Sequence, residues 1–448
     1  MRKFLFICLL SLCLSVPGFV LSQPSDCLDI TVPPTADLPA GLQFPAVASN
    51  LPLDVTFATQ QTVENDQKAF DLFSWASFIA LNWPADPNGQ PLAGKISDHP
   101  EAPRVWETYI ASSQVFKKGG AAPDPWRGES SITKRMVPNA KPGQKVLFSI
   151  NKNVLSDILQ AGFGPGKFPP ITDVNGMYAF YEIHMNKTEY DYIVANTLYN
   201  KEGQSAFLQL PKTVDFPRGS ASGNKPGSIE VKAVWKQLGQ GEDQSKYYTV
   251  MAIRIDPVTQ QPSAQPLPFG LVGLHIVTRT EKAPQWIWST FEHVENAPDV
   301  GETALKNHYN FNDPTKTQPA TGFNFQPPNT NPVPNPTTPT QITRVLNNAL
   351  LNAPWTKALN AKMQENLANT VWANYRLVTT QWPSPSGQFI PCHVTNTVAE
   401  TYIQANAFSG SCMRCHNVAL TSGLKSNQQP GSANFSYLLQ MAQPHTGH

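Results

Sequence analysis

The residues best suited to chemistry lie near the carboxyl end of the chain, in the segment SCMRCH at 411–416. Two thiols separated by two residues can both reach the vinyl groups of one haem from a single helical turn, and the histidine that follows can place its imidazole on the iron. The spacing therefore predicts one covalent haem c, bound by thioether bonds at Cys412 and Cys415, with His416 as an axial ligand.

Two other chemistries use paired cysteines at this spacing. A Cys-x-x-Cys pair can act as a redox disulfide, and it can also form half of a zinc site. A structural zinc site needs two more ligands, and the sequence holds no second Cys-x-x-Cys. The histidine directly after the second cysteine favours haem attachment over both alternatives.

The second axial ligand of such a haem is less constrained. Only 32 residues follow His416, so this ligand must follow closely, must come from the preceding chain, or must be absent. Met441 is the favoured metal ligand, since a thioether raises the haem potential, and a core methionine on an apolar face is the alternative. His275 and His293 are the other candidates, although a lone histidine in such a place is usually a hydrogen-bonded core residue.

Little else in the sequence indicates catalysis. His275, Glu292 and His293 could form a small acid–base or metal-binding cluster, a hypothesis that rests on their spacing alone. The chain contains no Ser–His–Asp motif, no phosphate-binding glycine loop and no flavin or nicotinamide fingerprint. Catalytic residues therefore stay unknown.

The first residues indicate the compartment. A short basic region and an apolar run at 4–16 precede Val20 and Ser22, which suit the −3 and −1 positions of a cleavage site. The pattern predicts a secretory signal peptide at 1–22, whose apolar part is too short for a membrane span. A lipid anchor on Cys13 is the alternative, but a leucine precedes that cysteine where a small residue is needed. We expect a bacterial periplasmic or secreted protein without a membrane span, and such compartments are where haem is attached covalently.

Charge and cysteine content restrict the partners and the redox state. Removing Arg2 and Lys3 from the 33 basic residues leaves 31 against 32 acidic residues. Composition therefore gives no reason to expect binding to nucleic acid or to an anionic membrane. Cys27 and Cys392 remain once the signal peptide and the haem motif are set aside. In an oxidising compartment we expect a disulfide between them, and two separate buried thiols are the alternative.

The elements that must position these residues are a helix and several β-strands. The segment 66–83 repeats apolar residues at three- and four-residue steps, which predicts a buried amphipathic helix that ends before a proline. Four segments rich in β-branched and aromatic residues predict strands, at 178–185, 228–235, 246–255 and 269–279. Because strands and helices do not alternate as in βαβ units, we expect an α+β fold with a large, mostly antiparallel β-rich N-terminal region.

Proline-rich sequence divides the chain. Residues 312–340 contain eight prolines in 29 positions, which predicts an extended linker or a long surface loop. The preceding residues, 23–311, would form a β-rich domain of unknown role. Residues 341–448 are expected to form a short helical region that carries the haem motif. Its predicted helices are one through Trp355, Leu359, Met363 and Leu367, one at 398–408 and one at 432–443.

The haem segment resembles the cytochrome c superfamily over five residues, from Cys412 to His416. Six longer segments are similar to a family of large, mostly uncharacterised bacterial monohaem cytochrome c proteins with a C-terminal CxxCH motif. These segments are FSWASFIALNWP at 73–84, VWETY at 105–109, FGLVGLHIVTRT at 269–280, WIWSTFEHVEN at 286–296, YRLVTTQWP at 375–383 and NTVAETYIQ at 396–404. The resemblance implies haem binding and electron transfer, and it carries over only to Cys412, Cys415 and His416. Small cytochromes c have the motif near their start, so their methionine ligand is not carried over.

Two classes of function are consistent with these features. The first is an exported monohaem c-type cytochrome that exchanges electrons with a redox partner protein or with a small-molecule donor or acceptor. The second is a haem-dependent oxidoreductase whose N-terminal region forms a substrate pocket. The sixth ligand discriminates between them, because a carrier is best served by a six-coordinate iron and an enzyme needs an exchangeable site.

Overall fold

The computed structural model describes residues 27–30, 34–141, 143–147, 171–256, 259–283, 285–319, 339–345, 353–404 and 410–446. The predicted signal peptide, 1–22, lies outside these residues, as does most of the predicted linker, 320–338. Within the described ranges, no helix has the length and apolarity needed to cross a membrane.

The described chain contains seven α-helices and thirteen β-strands. The helices are α1 Val63–Leu81, α2 Ser112–Val115, α3 Ser131–Met136, α4 Lys187–Ala195, α5 Lys201–Leu208, α6 Pro354–Asn366 and α7 Cys412–His416. The strands are β1 Ile110–Ala111, β2 Lys145–Leu147, β3 Ala179–Met185, β4 Gly219–Ser220, β5 Lys225–Pro226, β6 Ile229–Gln237, β7 Thr249–Arg254, β8 Leu267–Arg279, β9 Trp286–His293, β10 Tyr375–Pro383, β11 Phe389–Ile390, β12 Leu420–Leu424 and β13 Pro430–Ser432.

Nine of these strands form one sheet in the order β1-β3-β6-β8-β9-β10-β11, with β7 beside β8 and β2 beside β7. The pairs in this sheet are antiparallel except for β2 with β7. The central strand β8 is buried over eleven of its 13 residues because elements cover both of its faces. The mixed fold and the mostly antiparallel sheet predicted from the sequence are confirmed, and all four predicted strands are present.

Helix α1 confirms the helix predicted at 66–83, although it begins and ends slightly earlier. The side chain of Thr62 caps its first turn by accepting from the amide of Asn65 at 3.1 Å. The helix is buried almost all round, so its polar residues need partners inside the core. Ser74 Oγ lies 2.7 Å from Ser289 Oγ and 2.6 Å from Thr380 Oγ1, which ties the helix to β9 and β10.

Strands β9 and β10 separate α1 from the haem motif. Thr380 contacts α1, whereas the next residue, Gln381, donates to Ser411 at the start of α7. Successive side chains of a strand point to opposite faces, so α1 and α7 lie on opposite sides of the sheet. Helix α6 packs on the α1 side, and α4, α5 and β12–β13 pack on the α7 side.

The helical C-terminal region predicted at 341–448 is not confirmed. Helix α6 matches the apolar pattern through Trp355, but β10 is a core strand, and α7 is the only α-helix near the Cys412–His416 motif in the described part of the chain. Residues 432–443 contain a short 3-10 helix, Tyr437–Met441, because Asn434 and Phe435 have left-handed φ angles of 50° and 71°. Of 398–408, the described part holds only the 3-10 helix Thr401–Ile403.

Candidate haem-binding site

Helix α7 presents two free thiols on one turn. Cys412 and Cys415 are three residues apart, so they lie on the same side of the helix, and neither forms a disulfide. The sheet holds this turn in place through Gln381, whose Nε2 donates to Ser411 Oγ at 2.8 Å and whose Oε1 accepts from the Met413 amide at 2.6 Å. The thiols are thus presented by a short helix that the central sheet fixes at its amino end.

The imidazole of His416 is oriented by one hydrogen bond and two aromatic rings. Its Nδ1 donates to the carbonyl oxygen of Phe435 at 2.7 Å, which assigns the proton to Nδ1 and the lone pair to Nε2. The ring centroid lies 4.2 Å from that of Trp288 and 4.8 Å from that of Tyr437. Burial lowers the pKa of His416 to about 4, so the ring is neutral at neutral pH. A neutral imidazole with a fixed Nδ1–H is the form that binds a metal through Nε2.

The two thiols lie in different surroundings. Cys412 is buried, and its Sγ donates to the carbonyl oxygen of Val394 at 3.2 Å. Cys415 is half-buried, and its Sγ lies 3.9 Å from the hydroxyl oxygen of Tyr437, which donates to the Cys415 carbonyl at 2.9 Å. Burial raises the pKa of both thiols, and the carboxylate of Glu400 raises the pKa of Cys412 further. Both sulfurs are therefore protonated, neutral thiols near neutral pH.

These residues fit a covalently attached haem. Thioether attachment requires two unpaired thiols on one turn and an imidazole that follows them, and all three are present. In the part of the chain that the structure describes, no group of three or more His, Cys, Asp or Glu side chains is arranged to hold a metal ion directly.

A buried acid–base pair lies on the same side of the sheet as α7. His275 Nε2 lies 3.0 Å from Glu400 Oε1, and His275 Nδ1 lies 3.1 Å from Thr290 Oγ1. Lys232, which is directly opposite His275 in the neighbouring strand, places Nζ 4.0 Å from Glu400 Oε1. Burial alone would raise the pKa of Glu400, but the imidazole and the ammonium hold it below its usual value. His275 and Val277 are two residues apart in β8, so both side chains point to the face of the sheet on which Val277 packs in one core cluster with Cys412 and Met413.

The three residues that spacing suggested as a small cluster have separate partners. His275 pairs with Glu400, and Glu292 forms an ion pair with Arg344. His293 Nε2 lies 3.0 Å from a backbone carbonyl oxygen, and its Nδ1 accepts from a backbone amide at 3.2 Å. The hypothesis of an acid–base or metal cluster of His275, Glu292 and His293 is therefore wrong.

The candidate sixth ligands differ in their freedom to bind iron. Both ring nitrogens of His275 and both of His293 are engaged in hydrogen bonds. Met441 ends the 3-10 helix that begins at Tyr437, is half-buried, and lines a cavity of about 2390 Å³. The same cavity is lined by Tyr437, which contacts Cys415, so it reaches the immediate surroundings of the motif.

Sequence reasoning missed the residues that orient the motif. Trp288, Gln381 and Phe435 act through a ring contact, a side-chain amide and a backbone carbonyl. The only available signal was the aromatic run at 286–291, which is equally typical of a buried core.

Comparison with protein-family models, with curated proteins and with solved structures finds no match for this chain.

Proposed function

We propose that this protein is an exported monohaem c-type cytochrome that transfers electrons. One haem c is attached by thioether bonds to Cys412 and Cys415, with His416 on the iron. The observation that carries the proposal is the hydrogen bond from His416 Nδ1 to the Phe435 carbonyl at 2.7 Å, next to two free thiols on one helical turn. This bond leaves Nε2 free to act as the ligand.

The bound haem would supply a one-electron iron couple, and the protein's own residues would hold its ligand still. The Phe435 carbonyl fixes the tautomer of His416, and Trp288 restricts rotation of the ring. Because Gln381 anchors α7 to β10, the ligand is carried by the rigid sheet rather than by a loop. A rigid ligand set keeps the geometry similar in both oxidation states, which suits electron transfer.

Met441 is the sixth ligand that we favour. Binding of iron by His275 would require loss of its hydrogen bond to Glu400 or to Thr290. Binding by His293 would require loss of a backbone hydrogen bond inside the core. Met441 faces no such competition, because it lies on a cavity wall four residues after Tyr437, which contacts Cys415.

The test of the proposal is covalent haem after expression with a bacterial cytochrome c maturation system. We expect haem staining after denaturing electrophoresis and an intact mass of the processed chain plus one haem. The double variant Cys412→Ala/Cys415→Ala should lose the stain, while the matched variant Cys27→Ala/Cys392→Ala should keep it. An apoprotein mass, or haem that acidified organic solvent extracts, would contradict the proposal.

A haem-dependent oxidoreductase is the second candidate, and the His275–Glu400 pair is the observation in its favour. A buried acid–base pair that faces a haem can transfer protons during oxidation or reduction of a bound substrate. In this case Glu400→Gln should slow reaction with peroxide by about a hundredfold. The matched variant Glu365→Gln, on exposed α6 surface, should have no effect. A wild-type iron that binds neither cyanide nor carbon monoxide rapidly would exclude this candidate.

A further inference from the structure

Positive charge is concentrated in one segment that borders the cavity. Residues 117–145 contain seven basic and two acidic side chains, in a chain whose overall formal charge is only +1. Five of the basic residues are exposed and line the cavity, and we refer to them as the basic rim. They are Lys118, Arg127, Lys134, Arg135 and Lys141.

The basic rim is largely uncompensated. The other two basic residues of the segment are paired with carboxylates: Lys117 with Asp124 at 2.9 Å, and Lys145 with the half-buried Glu182 and Glu107 at 2.7 and 2.8 Å. Within the rim, only Lys134 forms an ion pair with a described residue, Glu129, and both partners are more than 60% exposed. An exposed pair of this kind contributes little and can exchange for another partner.

The basic rim is attached to the part of the chain that carries the haem motif. The amide of Gly119, beside Lys118, donates to Gln443 Oε1 at 3.1 Å, and the carbonyl of Gly119 accepts from the amide of Thr446 at 3.0 Å. Gln443 follows Met441 by two residues, and both line the same cavity as the rim. A molecule that rests on the rim thus lies against the same cavity as Tyr437, whose hydroxyl group donates to the carbonyl oxygen of Cys415.

We propose that the basic rim docks an acidic electron-transfer protein, an inference that rests on the proposed electron-transfer function. The charges are spread along an exposed helix and its flanking loops instead of converging on one point, so they suit a broad acidic surface rather than a single small anion. Electron-transfer complexes are typically small and weak, and opposite charges guide their formation. The rim supplies that guidance on the side of the molecule where the cavity opens.

The test compares charge-reversal variants of the haem-loaded protein. Arg135→Glu/Lys141→Glu reverses two rim charges, and Lys316→Glu/Lys357→Glu makes the same change in net charge at exposed positions that do not line the cavity. The protein probe is a strongly acidic blue-copper protein. Its binding is measured by calorimetry at low salt, and its electron exchange by stopped flow across a salt series. Reduction by the semiquinones of anionic FMN and of neutral lumiflavin serves as a small-molecule comparison.

We expect the rim variant to slow electron exchange with the acidic protein by at least about tenfold at low salt. It should also weaken binding in calorimetry, which does not depend on electron transfer. The control variant should match the wild type in both measurements. Three results would overturn the inference: equal effects of the two variants, no salt dependence, or a rim effect on FMN alone, which would indicate a small-anion site. Failure of haem attachment would instead contradict the proposed function, so the two failures are distinguishable.

Discussion

The indole Nε1–H of Trp355 donates to Oδ2 of Asp71 at 3.2 Å, and this bond joins α6 to α1 across the core. The other oxygen of Asp71 accepts from the side chain of Gln67 at 2.9 Å and from the amide of Thr380 at 3.2 Å. The carboxyl group is thus shared by two helices and by β10. Burial raises the pKa of Asp71 from 3.8 to about 7, although these hydrogen bonds act in the opposite direction.

This shift makes stability depend on pH. Because the pKa of Asp71 is higher in the folded state, the free energy of unfolding falls as pH rises from about 4 to about 7. We expect Asp71→Asn to remove this contribution, so the stability of the variant relative to wild type should improve by at least about 1 kcal/mol over that interval. Urea unfolding at several pH values measures the difference. Asp37→Asn, at an exposed position, is the control, and a constant difference for Asp71→Asn would contradict the prediction.

Ser74 provides a second test of the contact between α1 and the sheet. Its hydroxyl bonds to Ser289 and Thr380, so Ser74→Ala leaves two buried hydroxyl groups with one partner fewer. We expect a loss of about 1–3 kcal/mol in the free energy of unfolding. Ser77→Ala is a matched control, since the Ser77 hydroxyl is buried in the same helix and has no hydrogen-bond partner among the described residues. Equal losses in the two variants would show that the bonds to Ser289 and Thr380 are not what stabilises the contact.

The disulfide between Cys27 and Cys392, expected from the sequence, is present in the structure. It closes a loop with a sequence separation of 365 residues. Without the crosslink that closes this long loop, the unfolded chain gains conformational entropy. We therefore expect Cys27→Ala/Cys392→Ala to lower the free energy of unfolding by about 2–4 kcal/mol. Chemical unfolding with and without reductant checks this value, because reductant should affect only the wild type. An unchanged unfolding midpoint in the double variant would contradict it.

The sixth ligand can be tested by visible spectroscopy of the oxidised, haem-loaded protein. If Met441 binds the iron, we expect a low-spin spectrum with the weak long-wavelength band typical of methionine-ligated ferric haem. Met441→Ala should lose this band and lower the reduction potential, because a thioether ligand raises it. Met413→Ala, a buried methionine of the motif itself, is the control for general disturbance of the site. A spectrum unchanged in Met441→Ala would direct attention to His275 and His293.

Strands and helices in which apolar residues recur at a regular spacing were predictable from the sequence, because burial of one face imposes that spacing. Strand β9 was missed as a strand because WIWSTFEH is buried at every position and has no polar alternation. Strand β10 was assigned to a helical region for the same reason, since YRLVTTQWP is also buried on both faces. At 432–443 the apolar spacing suggests a helix, but it does not reveal the left-handed φ of Asn434 and Phe435 that limits the helix to one turn.

The three residues of the proposed haem motif can be selected from the sequence because thioether attachment requires their spacing. The residues that orient them were not. Phe435 contributes only a backbone carbonyl, which any residue could supply. Trp288 reaches His416 because β9 crosses beneath α7, a relationship between distant segments that no local pattern records. Glu400 lies in the segment 396–404, which resembles large monohaem cytochromes, but its pairing with His275 depends on long-range packing that no local pattern records.

The packing of α1 against β10 has a consequence for how the chain folds. Ser74 and Thr380 are 306 residues apart, and a contact order of this kind slows folding because a long loop must close before the contact forms. Thr380 precedes Cys412, the first cysteine of the proposed haem motif, by only 32 positions. Among the described residues, the last strands of the central sheet are β10 and β11, which precede Cys412 closely in the sequence. Because this long-range contact forms slowly, we expect Cys412 and Cys415 to stay accessible for a time after they are made, which is when the proposed haem attachment would take place.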